Sequence, residues 1–226
     1  MSRVIAQIGL LVAKDLRIEA RSRQTVGLVV VLGILIVVVL GLGLGAQQGN
    51  GAGLAATAVL WTAYLFSGVL CFEKTMGVER GDAALAGLMM APIDRSVIFV
   101  AKWVSNLALM ACVTSVVTGA GVLFFSFDLS AAPGQFALVM SLGMIGFAAI
   151  GTLFSAVVSS SRLQGGLLAL TVFPLALPLV IASTQLLLRV FRDGETAGGQ
   201  ALAVIVAFDV MFLAASWVLF EWVLEP

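Results

Sequence analysis

Lys102, Asn106 and Asp209 are side chains able to carry charge, protons or strong hydrogen bonds that lie within long apolar runs. A carboxylate at the centre of a membrane helix costs about 2.5 to 3.5 kcal/mol on insertion scales, so Asp209 is expected to face other helices or a wet cavity, neutral or partnered. Lys102 lies near the start of its run, about 7 Å from the edge at 1.5 Å per residue, within reach of lipid headgroups. The depth gap between Lys102 and Asp209 is about 11 Å for a hydrocarbon core of about 30 Å, which would stretch a direct ion pair. Asn106, one helical turn deeper than Lys102, is the expected hydrogen-bond partner of Asp209. Two roles stay open for the acid, structural glue between helices or a station for protons or substrate.

Other chemistry is missing from the sequence. It contains no histidine, and with that go the commonest general base, the commonest metal ligand and the usual haem axial ligand. Cys71 and Cys112 stand far apart with no C-x-x-C spacing, and they are read as small buried packing residues. No G-x-x-x-x-G-K-[ST] phosphate loop is present. These features predict a noncatalytic chain that binds no cofactor by itself.

The elements that position these residues follow from hydropathy. The chain has 226 residues, 61% of them hydrophobic and 11% charged. Six apolar stretches are long enough to span a membrane: Val26 to Ala46, Leu54 to Phe72, Val97 to Phe127, Phe136 to Val158, Gly166 to Leu188 and Ala201 to Phe220. Backbone groups must be satisfied internally in lipid, and the runs lack the alternation of barrel strands, so helices are predicted. The fold class is an all-α membrane protein, a single transmembrane domain over residues 1–226.

Residues 1–25 place Val4, Ile5, Ile8, Leu11, Val12 and Leu16 on one stripe, with Arg3, Lys14, Arg17, Arg21 and Arg23 around it. That pattern predicts a helix lying in the membrane interface against anionic lipid. A cleaved signal peptide is not expected, because the following run is of span length and no small-x-small cleavage site precedes a polar mature domain. Basic residues then alternate between successive gaps: five before the first span, none in the next gap, Lys74, Arg80 and Arg95 in the third, none in the fourth, and Arg162 in the fifth. The positive-inside rule places both termini in the cytoplasm, with the 189–200 loop, carrying Arg189 and Arg192, as the dissenting periplasmic segment. The net charge is zero and no basic cluster suggests nucleic acid. The longest polar gap runs only from Glu73 to Ser96, so an energy source would come from another chain.

Pro174 and Pro178 each remove a backbone donor from the fifth span, predicting a kink or break that is either static or a moving bend. Gly41, Gly43 and Gly45, and the looser set Gly143, Gly146 and Gly151, suit close helix packing within the subunit or at a dimer surface. In the 73–96 loop, Leu85, Leu88 and Met89 share one helical face, with Glu79 and Asp82 near its start and Pro92 after its end. Such a short amphipathic helix either docks in a groove of a soluble partner or lies on lipid.

The chain resembles the haem exporter protein B family, the permease of the cytochrome c maturation system and a branch of the type-2 ABC exporters. The residues carrying the resemblance are Lys14-Asp-Leu-Arg17 with Glu19 and Arg21, Trp61, Leu65-Phe-Ser-Gly-Val-Leu70, Glu73-Lys74, Leu85, Leu88 to Pro92, Asp94-Arg-Ser96, Lys102, Gly151-Thr-Leu-Phe154 and the two prolines. It departs from the family pattern at Asp82-Ala-Ala-Leu-Ala86, where an acidic-Gly-small-Leu-Glu run is usual. The resemblance implies a type-2 exporter permease with an N-terminal elbow helix, in the bacterial inner membrane. It implies a separate ABC ATP-binding subunit that holds ATP, two copies of each chain, a haem-handling membrane protein and a periplasmic haem chaperone. The 73–96 segment would be the coupling helix on the ATPase, with Glu73, Glu79, Asp82, Leu85, Leu88, Met89 and Pro92 at the contact. Two rival functions share the fold class: export of another lipid-like or drug-like cargo, and a scaffold that assembles haem-handling partners without moving anything.

Overall fold

The first long apolar segment has no polar face to show to water, with a mean hydropathy of 3.1 over Thr25–Gly43, and it forms one uninterrupted helix. In the computed structural model the described residues are 2–22, 24–44, 52–81, 93–125, 129–160 and 166–223. Among them the helices are α1 (Ser2–Ser22), α2 (Gln24–Leu44), α3 (Ala52–Gly81), α4 (Arg95–Phe125), α5 (Pro133–Ser160), α6 (Leu167–Asp193) and α7 (Gly199–Val223), with a 3-10 turn at Leu129–Ala131 before α5. Six of these, α2 to α7, are long and apolar enough to cross a membrane. All described regular structure is helical, as backbone self-satisfaction in lipid requires.

α3 and α5 form the interior. Two thirds of each apolar window is buried (67%), against 17% for α2, whose Val31, Leu35, Val39 and Leu42 stay exposed on the outside as lipid-facing side chains do. α5 packs against α3, α4, α6 and α7, α2 covers α3 and α4, and α1 lies along α4. The close approach at the centre depends on glycine. Gly151 of α5 has the Phe72 ring of α3 where a Cβ would stand, and Gly143 has the Trp61 ring in the same relation. Phe72 in turn meets Phe147 edge to face, with ring centroids 5.3 Å apart. Gly143, Gly146 and Gly151 therefore serve packing within the chain, whereas nothing among the described residues covers Gly43 of α2.

Boundaries differ from the hydropathy reading in two places. α3 continues well past Phe72 to Gly81, so Glu79 belongs to its last turn rather than to the start of a separate helix. Phe72–Arg80 contains no proline, and helix propagation needs no apolar environment. α6 likewise carries Arg189 and Arg192 to Asp193, leaving a shorter connection than 189–200. Gly194 closes α6 in the left-handed conformation at φ 66°, and Arg192 complements the helix dipole there. The connection is pinned by Ala197 N–H donating to Gln135 Oε1 at 2.6 Å.

α6 runs through both Pro174 and Pro178 without a break. Thr171 Oγ1 donates to the carbonyls of Leu167 and Leu168, one turn before the carbonyl that Pro174 leaves without its helical donor. Packing holds the segment instead: Phe173 meets Phe66 of α3 edge to face at 4.9 Å, and Val172, Ala176 and Leu179 are buried.

Candidate functional site

The polar side chains of the interior are arranged in layers along the bundle. At the end next to residues 82–92, Lys102 of α4 reaches Asp15 of α1, Nζ to Oδ2 at 2.8 Å, and Lys14 approaches the other carboxylate oxygen at 3.1 Å. The Lys102 and Asp15 side chains are only 6% and 11% exposed. The Lys102 ammonium thus ends on an acid along the buried edge of α1, a partner that hydropathy did not point to. Asp15 and Glu19 continue the i+4 row of Leu11, which puts two acids beside the apolar stripe of an otherwise basic helix. That pattern was the available signal for this pair, and reading α1 as a purely lipid-facing helix misses it.

Glu19, also buried, accepts the backbone N–H of Val26 through Oε1 at 3.0 Å. This satisfies a donor in the first turn of α2 and fixes the angle between α1 and α2. On the same end Arg95 Nη1 donates to the carbonyl of Glu221 at 3.2 Å. Met76, Ile98, Phe99, Leu153, Ala156 and Phe220 form a second hydrophobic cluster there, with Phe99 and Phe220 rings 5.2 Å apart. The chain segments on both sides of residues 82–92 are thus joined to α5 and α7, and through Lys102 to α1.

One layer deeper, Thr75 Oγ1 of α3 donates to Asn106 Oδ1 of α4, and Asn106 Nδ2 donates to Thr152 Oγ1 of α5, both at 2.9 Å. Asn106 is fully buried and spends its amide on these two threonines. The expected bond between Asn106 and Asp209 is not formed, because α5 comes between α4 and the acid. Asp209 of α7 instead lies against the α5 backbone at Gly146. It is 4% exposed, its carboxylate approaches the backbone N–H of Gly146, and neither oxygen makes a well-aligned hydrogen bond among the described residues. Its location inside the bundle agrees with the expectation for an intramembrane acid, while its partner does not.

Of the residues expected at an ATPase contact, Glu73 is half-buried on α3. The Glu79 side chain, Asp82, Leu85, Leu88, Met89 and Pro92 lie outside the described residues. Asp94 opens α4, its carbonyl accepting the N–H groups of Val97 and Ile98 at 3.0 and 3.3 Å. Both cysteines are free thiols; Cys71 is buried as expected, whereas Cys112 is exposed on α4 and packs no interior. Among the described residues no group of three or more Cys, Asp or Glu is placed to hold a metal ion.

No curated protein matches the chain. A family model described as CcmB protein matches residues 6–220, nearly the whole sequence and every described helix.

Proposed function

The chain belongs to the CcmB family, membrane permease subunits of the cytochrome c maturation haem exporter ABC system, and on that premise we propose that it converts ATP hydrolysis by a separate subunit into haem delivery or into release of a haem-loaded periplasmic chaperone. The single observation that carries this reading is the family match over residues 6–220, together with the lack of any phosphate loop or histidine in this chain. ATP belongs to the partner ATPase and haem to partner proteins, a haem-handling membrane protein and the chaperone. The chain itself is a noncatalytic transmitter, present in two copies.

In this reading the chain sits in the bacterial inner membrane with both termini cytoplasmic, and residues 73–96 meet the ATPase. The bonds at that end favour transmission. A push on residues 82–92 reaches α3 and α4 directly, α7 through Arg95 and Phe220, and α1 through Lys102 and Asp15. α6 has no residue in the second hydrophobic cluster, so it is free to respond differently from the helices that take the push.

The test is a covalent-haem stain of c-type cytochromes in cells lacking the chain, complemented by wild type, by Leu88→Asp, or by wild type beside an ATPase unable to hydrolyse ATP. Rescue by wild type alone is the expected result. Rescue in all three cases favours a scaffold, and unchanged cytochromes without the chain favour a permease for another cargo. Leu88→Asp should also lose co-purification with the ATPase, since it buries an unpaired charge in the contact.

A further inference from the structure

Four buried polar atoms make no well-aligned hydrogen bond among the described residues: Trp61 Nε1, Ser183 Oγ and both carboxylate oxygens of Asp209, whose carboxylate only approaches the Gly146 backbone N–H. They come from α3, α6 and α7, and they lie at one depth. Trp61 is nine residues from the start of α3 at Ala52, Ser183 ten from the end of α6 at Asp193, and Asp209 ten from the start of α7 at Gly199. At 1.5 Å per residue each sits about 15 Å below the same end of the bundle, near the middle of a hydrocarbon core of about 30 Å.

The fourth wall is α5. A methyl group placed on Gly143 would lie 2.5 Å from Cη2 and 2.8 Å from Cζ2 of the Trp61 indole, and 3.5 Å from Ser183 Oγ. One helical turn further, Gly146 faces the Asp209 carboxylate and the Phe208 ring. The absence of side chains at these two glycines lets the edge of the Trp61 ring, the Ser183 hydroxyl and the Asp209 carboxylate approach one stretch of α5 backbone. Trp61, Ser183 and Asp209 are 1%, 0% and 4% exposed, so lipid headgroups and bulk solvent do not reach them.

We propose that this crossing of α3, α5, α6 and α7 is a hydration site that holds bound water at mid-membrane. The donor and acceptor types select the occupant. An indole N–H only donates, a carboxylate accepts, and a hydroxyl does both. A metal cation would be opposed by the N–H and would find a single carboxylate, while an anion would be repelled by Asp209. Water accepts from Trp61 and donates to Asp209 and Ser183, and a buried water is retained where two to four polar partners converge. The site links the acid-bearing helix α7 to α3 and to the proline-containing helix α6 through bonds that re-form as helices shift. It does not depend on which cargo or partner the permease serves.

X-ray radiolytic labelling of the assembled complex in lipid nanodiscs tests the site, because hydroxyl radicals made from a bound water oxidise the side chains beside it. Rapid oxidation of Trp61 and Phe208 is expected, with the equally buried Phe72 and Phe147 unlabelled and Trp222, at the end of α7, as the accessible control. Labelling of Trp61 should fall several-fold in a Ser183→Ala/Asp209→Leu variant, with Ser183→Ala alone supplying the comparison if the double variant does not assemble. An unlabelled Trp61 in the wild-type protein, or labelling unchanged by the variants, would overturn the proposal.

Discussion

Lys102 Nζ on α4 and Asp15 Oδ2 on α1 lie 2.8 Å apart, separated by 87 positions in the sequence. The bond fastens the amphipathic N-terminal helix to the helix that begins beside residues 82–92. Breaking a buried pair by removing one partner typically destabilises by about 3–5 kcal/mol, whereas replacing both with apolar groups is often neutral. Lys102→Met is therefore expected near the lower end of that range, since Lys14 still approaches Asp15. Asp15→Leu/Lys102→Met should recover most of the loss. Thermal unfolding in detergent of the two single variants and the double variant measures this, and strictly additive losses would refute the pairing.

Glu19 is expected to control how α1 joins α2. Losing an acceptor from a helix N-terminus costs about 0.5–2 kcal/mol, so Glu19→Ala should loosen α1 and Glu19→Gln, which keeps an acceptor oxygen, should do so less. Limited trypsin cleavage after Arg21 reads the difference. Equal cleavage rates in wild type and Glu19→Ala would show that the bond to Val26 does not hold the junction.

Asn106 joins three helices, yet its removal should be mild. Interhelical hydrogen bonds in membranes average about 0.6 kcal/mol and reach about 1.7, so Asn106→Leu is expected to lose about 1–2 kcal/mol. Thr75 and Thr152 keep their bonds to the carbonyls of Phe72 and Ala148, at 3.1 and 2.7 Å, and are not orphaned. Equilibrium unfolding in mixed micelles gives the value, and a loss well above this range would mean that Asn106 does more than link these helices.

Gly151→Ala should drive a methyl into the Phe72 ring, with an overpacking loss of about 1–3 kcal/mol. Gly119, which has open space around it, should accept alanine without such a loss. Phe72→Leu is expected to relieve Gly151→Ala in part. Melting temperatures of the set settle the point, and similar effects at the two glycines would show that the contact with Phe72 carries no energy.

The spans were legible because each depends only on local sequence. An apolar run of sufficient length is a helix in lipid wherever its neighbours lie, and Thr25–Gly43 needed no tertiary information. Helix ends were less legible: α3 outlasts its apolar run to Gly81, since hydropathy records where lipid stops and not where hydrogen bonding does. At the candidate site, the residue types were visible and their pairings were not. Asp209 was recognisable as an interior acid by its cost in lipid.

Depth along the membrane was the only coordinate the chain supplied for pairing Lys102, Asn106 and Asp209, and it suggested Asn106 for the acid. Rotation about each helix axis and the order of helices around the bundle are the other two coordinates, and they arise from packing. Glycines on α5 admit Trp61, Phe72 and Asp209 to its backbone, which places α5 between Asn106 and Asp209, while a separate face of α4 brings Lys102 to α1. An all-helical, six-span membrane protein and its family could be read along the chain, because length, hydropathy and motif order are properties of one dimension. That Lys102 binds Asp15, that Asn106 binds two threonines and that Asp209 shares its level with Trp61 and Ser183 came from packing alone, because each of those relations depends on which faces of distant helices meet.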